Sequence, residues 1–311
     1  MPSQPSPVSA FLRARRSLVQ PEDIGLPRTA NRRVDGLRRE EVASRAGISP
    51  EYYLRLEQGK DQQPSDQVVA ALGRALLLVA DALDYLRRIA RPKPLLRRPT
   101  APPPGIDDNV ARLIEQWSDS PAFVVDRNQD VVTANLLARV VGGGAFESGR
   151  NLVVSIFSIP RQDRLPDWET TARSAVAALR YYGDPADLRL QKIVGVLSAN
   201  SSDFRRMWAR HDARSQSSGT GMSYIEPYGW VEFRWQSLVV PRSTGYVATI
   251  MFGDPGSPAA AAIEHLAAGP RAVPEVEPGA RAGSAAVAAV SPEQVEATAP
   301  RGVRAGPRRF I

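Results

Sequence analysis

Between Gly36 and Gly59, apolar positions recur twice on a helical period, each time in a run of about ten residues. In the first run Leu37, Val42, Ala43 and Ala46 share one face, and Arg38, Arg39, Glu41 and Arg45 fall largely on the other. Gly47 is placed to end that run, since glycine accepts the left-handed conformation of a C-terminal cap. Ser49 suits an N-cap and Pro50 the first helical position, where a missing N–H costs nothing. In the second run, Pro50 to Gln58, the pattern turns Tyr53 and Leu56 inward and Glu51, Tyr52 and Arg55 outward, and Gly59 stops it. Two short helices joined by a turn containing glycine make a helix-turn-helix.

Neither helix buries enough apolar area alone, and the flanks supply partners. Val8, Phe11, Leu12 and Arg15 occupy successive turns of a helix before the pair. After it, Ser65 is a candidate N-cap for a stripe of Val68, Val69, Leu72 and Leu76, and Leu83, Leu86 and Ile89 form a further stripe. The pattern predicts an all-α domain of five helices over residues 8–91, large enough for its own core. The second helix of the pair is left standing out, able to enter a major groove.

Beyond Arg91 the pattern changes. Residues 92–105 are proline-rich and read as a semi-rigid linker. Residues 106–268 mix periods. "DDNVARLIEQW" predicts a helix with Val110, Leu113, Ile114 and Trp117 on its apolar side. "AFVVDRNQDVVTAN" predicts a hairpin, two β-branched runs around Asp-Arg-Asn-Gln. "LLARVVGG", "DWETTARSAVAALRYYG" and "LRLQKIVGVLSANSSDFRRMWARHD" predict helices, and "YGWVEFRWQSLVV" and "GYVATIMFG" predict strands. The expected fold is α+β, with a sheet of the hairpin and the two late strands. Residues 269–311 are rich in Ala, Pro, Gly and Val and predict a disordered tail.

Charge sharpens this division. Residues 1–100 carry 18 Lys and Arg against 11 Asp and Glu, whereas residues 101–311 carry 22 of each. The whole net charge of +7 therefore sits with the helix-turn-helix, as phosphate contacts require. The chain has no cysteine and only two histidines, His211 and His265, which argues against a disulfide framework, a thiolate nucleophile and a metal site. His211, Asp212 and the serines at 215, 217 and 218 are sequence neighbours, which does not build a catalytic triad, and no Gly-x-Ser-x-Gly occurs. The glycines at 142–144 lack the Gly-Lys-Ser/Thr of a phosphate loop. These absences predict no enzyme. The absence of a signal-peptide pattern and of a long apolar run predicts a cytoplasmic protein without membrane association.

"LRREEVASRAGISPEYYLRLEQGK" resembles the helix-turn-helix of the Cro/repressor-type (XRE) family, with its A-x-x-A-G-[IV]-S turn and a second helix ending [IL]-E-x-G. Together with the long preceding segment "QPEDIGLPRTANRRVDG", it resembles the MmyB-like regulators in particular. The resemblance implies a regulator that binds double-stranded DNA. The candidate DNA contacts are Arg38, Arg39, Ser49, Glu51, Tyr52, Arg55 and Lys60. Arg55 is suited to a guanine edge or a phosphate, Glu51 to a cytosine amino group, and Tyr52 to a thymine methyl or a phosphate. A single short helix reads few base pairs, so a homodimer is expected.

The second domain is similar to the ligand-binding domain of the same family, a PAS-like fold. The similarity rests on "PAFVVDRNQDVVTAN", "GRNLVVSIF", "PDWETTARSAVAALR", "FRRMWARHDARSQSSGT" and "DPGSP". "VVGGGAFESG" departs from the family pattern and bears on one wall of any pocket. The resemblance implies a mostly apolar pocket for a small lipophilic, fatty-acid-like molecule and no resident cofactor. Asn135, Arg150, Asn151, Trp208 and His211 are the candidate ligand contacts. Each has an ordinary alternative: Asn135 as a helix cap, Arg150 as an ion-pair partner, His211 as a structural hydrogen bonder, Trp208 as core. The rival readings for this domain are a haem or flavin sensor, with haem needing His211 or His265, and a protein-interaction or dimerisation module.

Overall fold

The first helix, α1 (Pro7–Leu18), is capped by Ser6, whose Oγ accepts from the Ser9 N–H at 3.2 Å. The structure is a computed structural model and describes residues 6–27, 32, 34–60, 63–91, 106–160, 166–240 and 245–268. The linker and tail predicted for 92–105 and 269–311 lie outside the described residues. After a 3-10 turn at Pro21–Ile24 come α2 (Arg39–Ala46), α3 (Pro50–Glu57), α4 (Asp66–Ala75) and α5 (Ala80–Ala90). The five predicted helices are present. Phe11, Leu12, Leu37, Val42, Tyr53, Leu56, Leu72 and Leu86 meet in one core, fully shut off from water. Gly47 takes the predicted left-handed cap at φ 66°, and the Ser65 Oγ accepts from Val68 N–H at 3.3 Å to start α4.

The rest of the chain is α+β. It runs α6 (Asp108–Gln116), β1 (Ala122–Val125), β2 (Val131–Ala134), α7 (Leu136–Val141), α8 (Leu152–Ser158) and α9 (Trp168–Tyr182). It continues with α10 (Leu188–Asn200), α11 (Ser202–Ala209), β3 (Ser218–Ile225), β4 (Gly229–Val239), β5 (Val247–Phe252) and α12 (Pro258–Ala267). The sheet is antiparallel in the order β2-β1-β5-β4-β3. Ile114 of α6 packs with Ala122, Val124 and Ala248 in one small cluster. A larger cluster joins Phe123, Val231, Phe233 and Met251 of the sheet to Leu137 of α7 and Ile263 of α12. The helices α8 to α11 have their own cluster around Trp168, Val176, Leu179, Phe204 and Met207.

Three expectations are corrected. The sheet has five strands, not four: β3 was not predicted, because Gly219 and Gly221 break its apolar pattern. Gly219 serves packing instead. A Cβ on Gly219 would stand 2.5 Å from the Trp235 ring, so the missing side chain lets Trp235 lie across its cross-strand neighbour. The long helix expected over 188–212 is two helices, because Ser201 is extended (φ −131°, ψ 117°) and its Oγ caps α11 by accepting from Phe204 N–H at 3.1 Å. The apolar side predicted for α6 is only partly used: Ile114 is buried, while Leu113 is 60% exposed and Trp117 stands at the surface.

The two parts of the chain touch through side chains. Arg15 of α1 pairs with Asp212 at 2.6 Å, and the His211 ring meets Phe11 edge-on at 6.4 Å. Ser215 donates both its N–H and its hydroxyl to Asp81 of α5, each at 2.9 Å. The Arg88 guanidinium lies between the rings of Tyr85, on its own helix, and Tyr181 of α9, at 5.4 and 5.2 Å. Ala213 is buried within the helix-turn-helix core itself.

Candidate functional site

In the helix-turn-helix, Ser49 caps α3 by accepting from Tyr52 N–H at 3.1 Å. This fixes the start of a helix whose N-terminal end favours anions. Glu51 and Arg55 are exposed, and the Arg55 guanidinium sits 5.2 Å over the Tyr52 ring. Tyr52 is half-buried against the core edge. Arg38 and Lys60 are exposed at the ends of α2 and α3, and the Arg38 N–H donates to Glu41 at 2.7 Å.

Arg39 has a second attachment that the sequence reading missed. Its Nε donates to Glu57 Oε2 at 2.7 Å, and Arg16 of α1 bonds the same carboxylate. Glu57 is 1% exposed. Burial pushes its carboxyl up, but Arg16 and Arg39 outweigh that and hold it below the usual carboxylate range. The Glu57 backbone carbonyl also accepts from Ser9 and Arg13. One carboxylate thus ties α1, α2 and α3 together, while half of the Arg39 side chain stays in solvent. Its position four residues after Tyr53, on the inward face, was the available signal.

The second domain holds a partly open cavity of about 280 Å³ between the sheet and the helices α8 and α9. Phe123, Met222, Trp230, Trp235 and Met251 line it from the sheet, Leu152, Ile156 and Ile159 from α8 and its end, and Thr170, Thr171, Ser174 and Ala175 from α9. The segment after α7 closes one wall. Phe146 folds back over Gly142, where any Cβ would strike its ring, and stacks on Phe123 with centroids 4.2 Å apart. The glycine run that departs from the family pattern therefore shapes the cavity.

None of the five candidate ligand residues lines this cavity. Asn135 is buried and fully engaged: its Oδ1 accepts from Ala122 and Ala138 N–H, and its Nδ2 donates to the Trp117 and Ser120 carbonyls at 2.7 Å. It caps α7 and locks the hairpin. Asn151 caps α8 by accepting from Val154 N–H, and its Nδ2 donates to Asn128 O and Asp130 Oδ1. Arg150 sits one residue earlier, its carbonyl accepting from Val131 N–H at 2.7 Å and its Nη1 buried without a partner. Trp208 stacks on Phe204 in the helical cluster and lies 3.7 Å from the Arg180 guanidinium. His211 accepts from Arg180 Nη1 at 3.1 Å through Nδ1, which only a neutral ring can do. Burial, then Arg180 and Arg15, push its pKa down to about 3. Asn135, Asn151 and His211 are engaged inside the framework, and polar residues that pack look the same in sequence as polar residues that bind.

Residues 106–266 match the family described as the MmyB-like transcription regulator ligand binding domain, and residues 7–86 match a helix-turn-helix domain. The chain belongs to the MmyB-like transcription regulators. No curated protein matches it. This MmyB-like regulator joins a DNA-binding domain to a domain for a small-molecule ligand, the build of a ligand-modulated transcription regulator. Among the described residues no group of three or more His, Cys, Asp or Glu is placed to hold a metal, and no helix is long and apolar enough to cross a membrane. Neither His211 nor His265 lines the cavity of this regulator, so a haem there would meet no histidine ligand.

Proposed function

We propose that the regulator reads operator DNA with α3 and that a lipophilic molecule of fatty-acid-like size, held in the cavity, modulates that binding. The observation that carries the coupling is one helix serving two places. Thr171, Ser174 and Ala175 of α9 line the cavity. Further along the same helix, Tyr181 takes Arg88 of the DNA-binding domain against its ring, and Arg180 holds His211, which packs on Phe11. A second link is just as direct: Gln216 lines the cavity and its neighbour Ser215 bonds Asp81. An occupant that shifts α9 or residues 215–216 therefore changes the seat of α1 and α5.

The five-stranded order with helices placed between β2 and β3 supports the PAS-like sensory layout. Glu51 and Arg55 are free of the contacts between domains and stand ready for a groove. An eight-residue α3 covers few base pairs, which supports a homodimer on a two-fold operator, acting in the cytoplasm. The test is to sequence the genomic fragments that the full-length protein retains, with and without lipid extract, and to weigh the intact complex by native mass spectrometry. A defined palindromic sequence whose retention changes with lipid supports the reading. Retention that is independent of sequence, or unmoved by lipid extracts while nothing apolar co-purifies, overturns it.

A further inference from the structure

The two edges of the sheet are finished differently. Along β2 the outer edge is occupied. Val131 N–H donates to Arg150 O at 2.7 Å, Gly149 N–H to Val131 O at 2.8 Å, and Ser148 Oγ to Val132 O at 2.9 Å. Strand β3, at the other edge, has no such cover. Ser237 N–H donates to Ser217 O at 2.7 Å, so Ser217 and then every second residue, Gly219, Gly221, Ser223 and Ile225, turn their backbone groups towards β4. Ser218, Thr220, Met222 and Tyr224 therefore turn their N–H and C=O groups away from the sheet. Trp235 Nε1 donates to Thr220 O at 3.3 Å, and among the described residues the other outward groups have no partner.

An open edge is a template for another strand, and proteins blunt it with charge, proline or a bulge. β3 uses none of these. Its eight residues, Ser-Gly-Thr-Gly-Met-Ser-Tyr-Ile, hold no charge and no proline, and its register with β4 is unbroken. The nearest charges in the chain are Arg214 before the strand and Glu226 after it, both exposed. Laid antiparallel against a second copy of itself, β3 brings the Arg214 end of each strand to the Glu226 end of the other. A parallel pairing would set like charges together. The antiparallel arrangement has a two-fold axis, so one patch serves both copies and the contact closes on itself. It also covers part of Tyr224, which is 43% exposed.

We propose that β3 is the dimer contact: two copies of the chain pair antiparallel along this strand and join their sheets edge to edge. This rests on the homodimer reading above and places its interface. The contact bears on ligand response as well. Thr220, Gly221, Met222, Ser223 and Tyr224, the middle of the open edge, also line the cavity. An occupant and the partner copy therefore act on the same strand.

The chain has no cysteine, so single cysteines report on this contact alone. Thr220→Cys, Gly221→Cys and Met222→Cys each place a thiol on the axis for one register centred on the middle of β3. Facing Cα atoms of an antiparallel pair lie about 4.5–5.5 Å apart, within disulfide reach. A Cβ on Gly221 meets nothing within 4 Å, so the thiol has room. On mild oxidation of the full-length protein at least one of the three should give a disulfide-linked dimer. Leu136→Cys, at an exposed site on α7, should not. Sedimentation velocity from low to high micromolar concentration should show a monomer–dimer equilibrium in the wild type. Met222→Pro removes an outward N–H and leaves the bonds to β4, and it should weaken the dimer at least about tenfold. Thr220→Lys puts a charge on the edge, should act likewise, and serves if the proline variant loses the wild-type melting temperature. A dimer that survives both substitutions, or three cysteines that link no better than Leu136→Cys, would overturn the β3 contact and leave the homodimer reading standing. A monomer at every concentration would overturn the homodimer reading, and the contact with it.

Discussion

Arg15 of α1 and Asp212, 197 residues later in the chain, form an ion pair of 2.6 Å between the DNA-binding and ligand-binding domains. Both side chains are partly buried, at 16% and 30% exposure, and Arg210 also bonds the Asp212 carboxylate at 3.0 Å. Pairs of this kind contribute about 1 kcal/mol or less to folding. Their larger use here is to fix how one domain seats on the other. Arg15→Ala should therefore cost little in the melting temperature and leave DNA affinity without ligand nearly unchanged. It should reduce the change in operator affinity that ligand produces, measured by fluorescence anisotropy with and without ligand. An unaltered ligand effect would show that the pair does not transmit it.

His211 ties stability to pH with a definite sign. Its folded pKa is about 3, below the ordinary 6.5, so between those values the unfolded chain binds more protons than the folded one. Stability is full above the ordinary histidine pKa and falls as the pH drops from about 6.5 towards 3, by at most roughly 1.4 kcal/mol per pH unit. Urea melts near pH 7 and pH 5 should show the loss, and His211→Asn should flatten it. Equal slopes in the two proteins would place the acid sensitivity elsewhere.

Arg180 is 5% exposed and its guanidinium lies over Trp208 while donating to the Trp208 carbonyl at 2.6 Å and to His211 Nδ1. Burial pushes its own pKa down, the Tyr85 hydroxyl and Asp212 opposing. Arg180→Met should destabilise the chain by about 2–3 kcal/mol, because two buried acceptors lose their donor. It should also raise the His211 pKa by removing the neighbouring cation, visible as a shifted imidazole titration by NMR.

In α3, Arg55→Ala should weaken operator binding by about 1–3 kcal/mol if the contact to a base is bidentate, with no change in melting temperature. Arg39→Ala should behave differently from a plain phosphate contact. It should weaken specific and non-specific binding alike and flatten the salt dependence, and it should also lower the melting temperature, since buried Glu57 keeps only Arg16. Mobility-shift titrations at two salt concentrations, paired with thermal melts, separate the two residues.

Gly142→Val should reshape the cavity. A Cβ at this position strikes the Phe146 ring, so Phe146 must leave its stack on Phe123 and open one wall. A ligand of larger girth should gain affinity relative to a slim one, and the protein should lose about 1 kcal/mol or more of stability from the lost ring contact. An unchanged preference for ligand size would mean that this wall does not select.

The helix-turn-helix was legible because its information is local. Gly47 and Ser49 mark ends, and Tyr53 and Leu56 repeat at the helical period, so the outward set of Glu51 and Arg55 follows from the inward one. The family of both domains was legible from residue classes at fixed spacing, as were α1 to α7, α9 and the β1–β2 hairpin, whereas α8 was not read as a helix and the break between α10 and α11 was missed. What lay beyond reach depends on distant partners. Strand β3 reads as a glycine-rich loop until Trp235 is seen lying across Gly219. Asn135, Asn151 and His211 carry the residue types of a binding site, and only their positions show them capping helices and filling hydrogen bonds inside the frame. Sequence determined which segments fold and which family they belong to, because period and caps act over a few residues. Tertiary structure alone decided which polar groups are satisfied and which face the cavity, because a hydrogen bond is settled by what arrives from elsewhere in the chain.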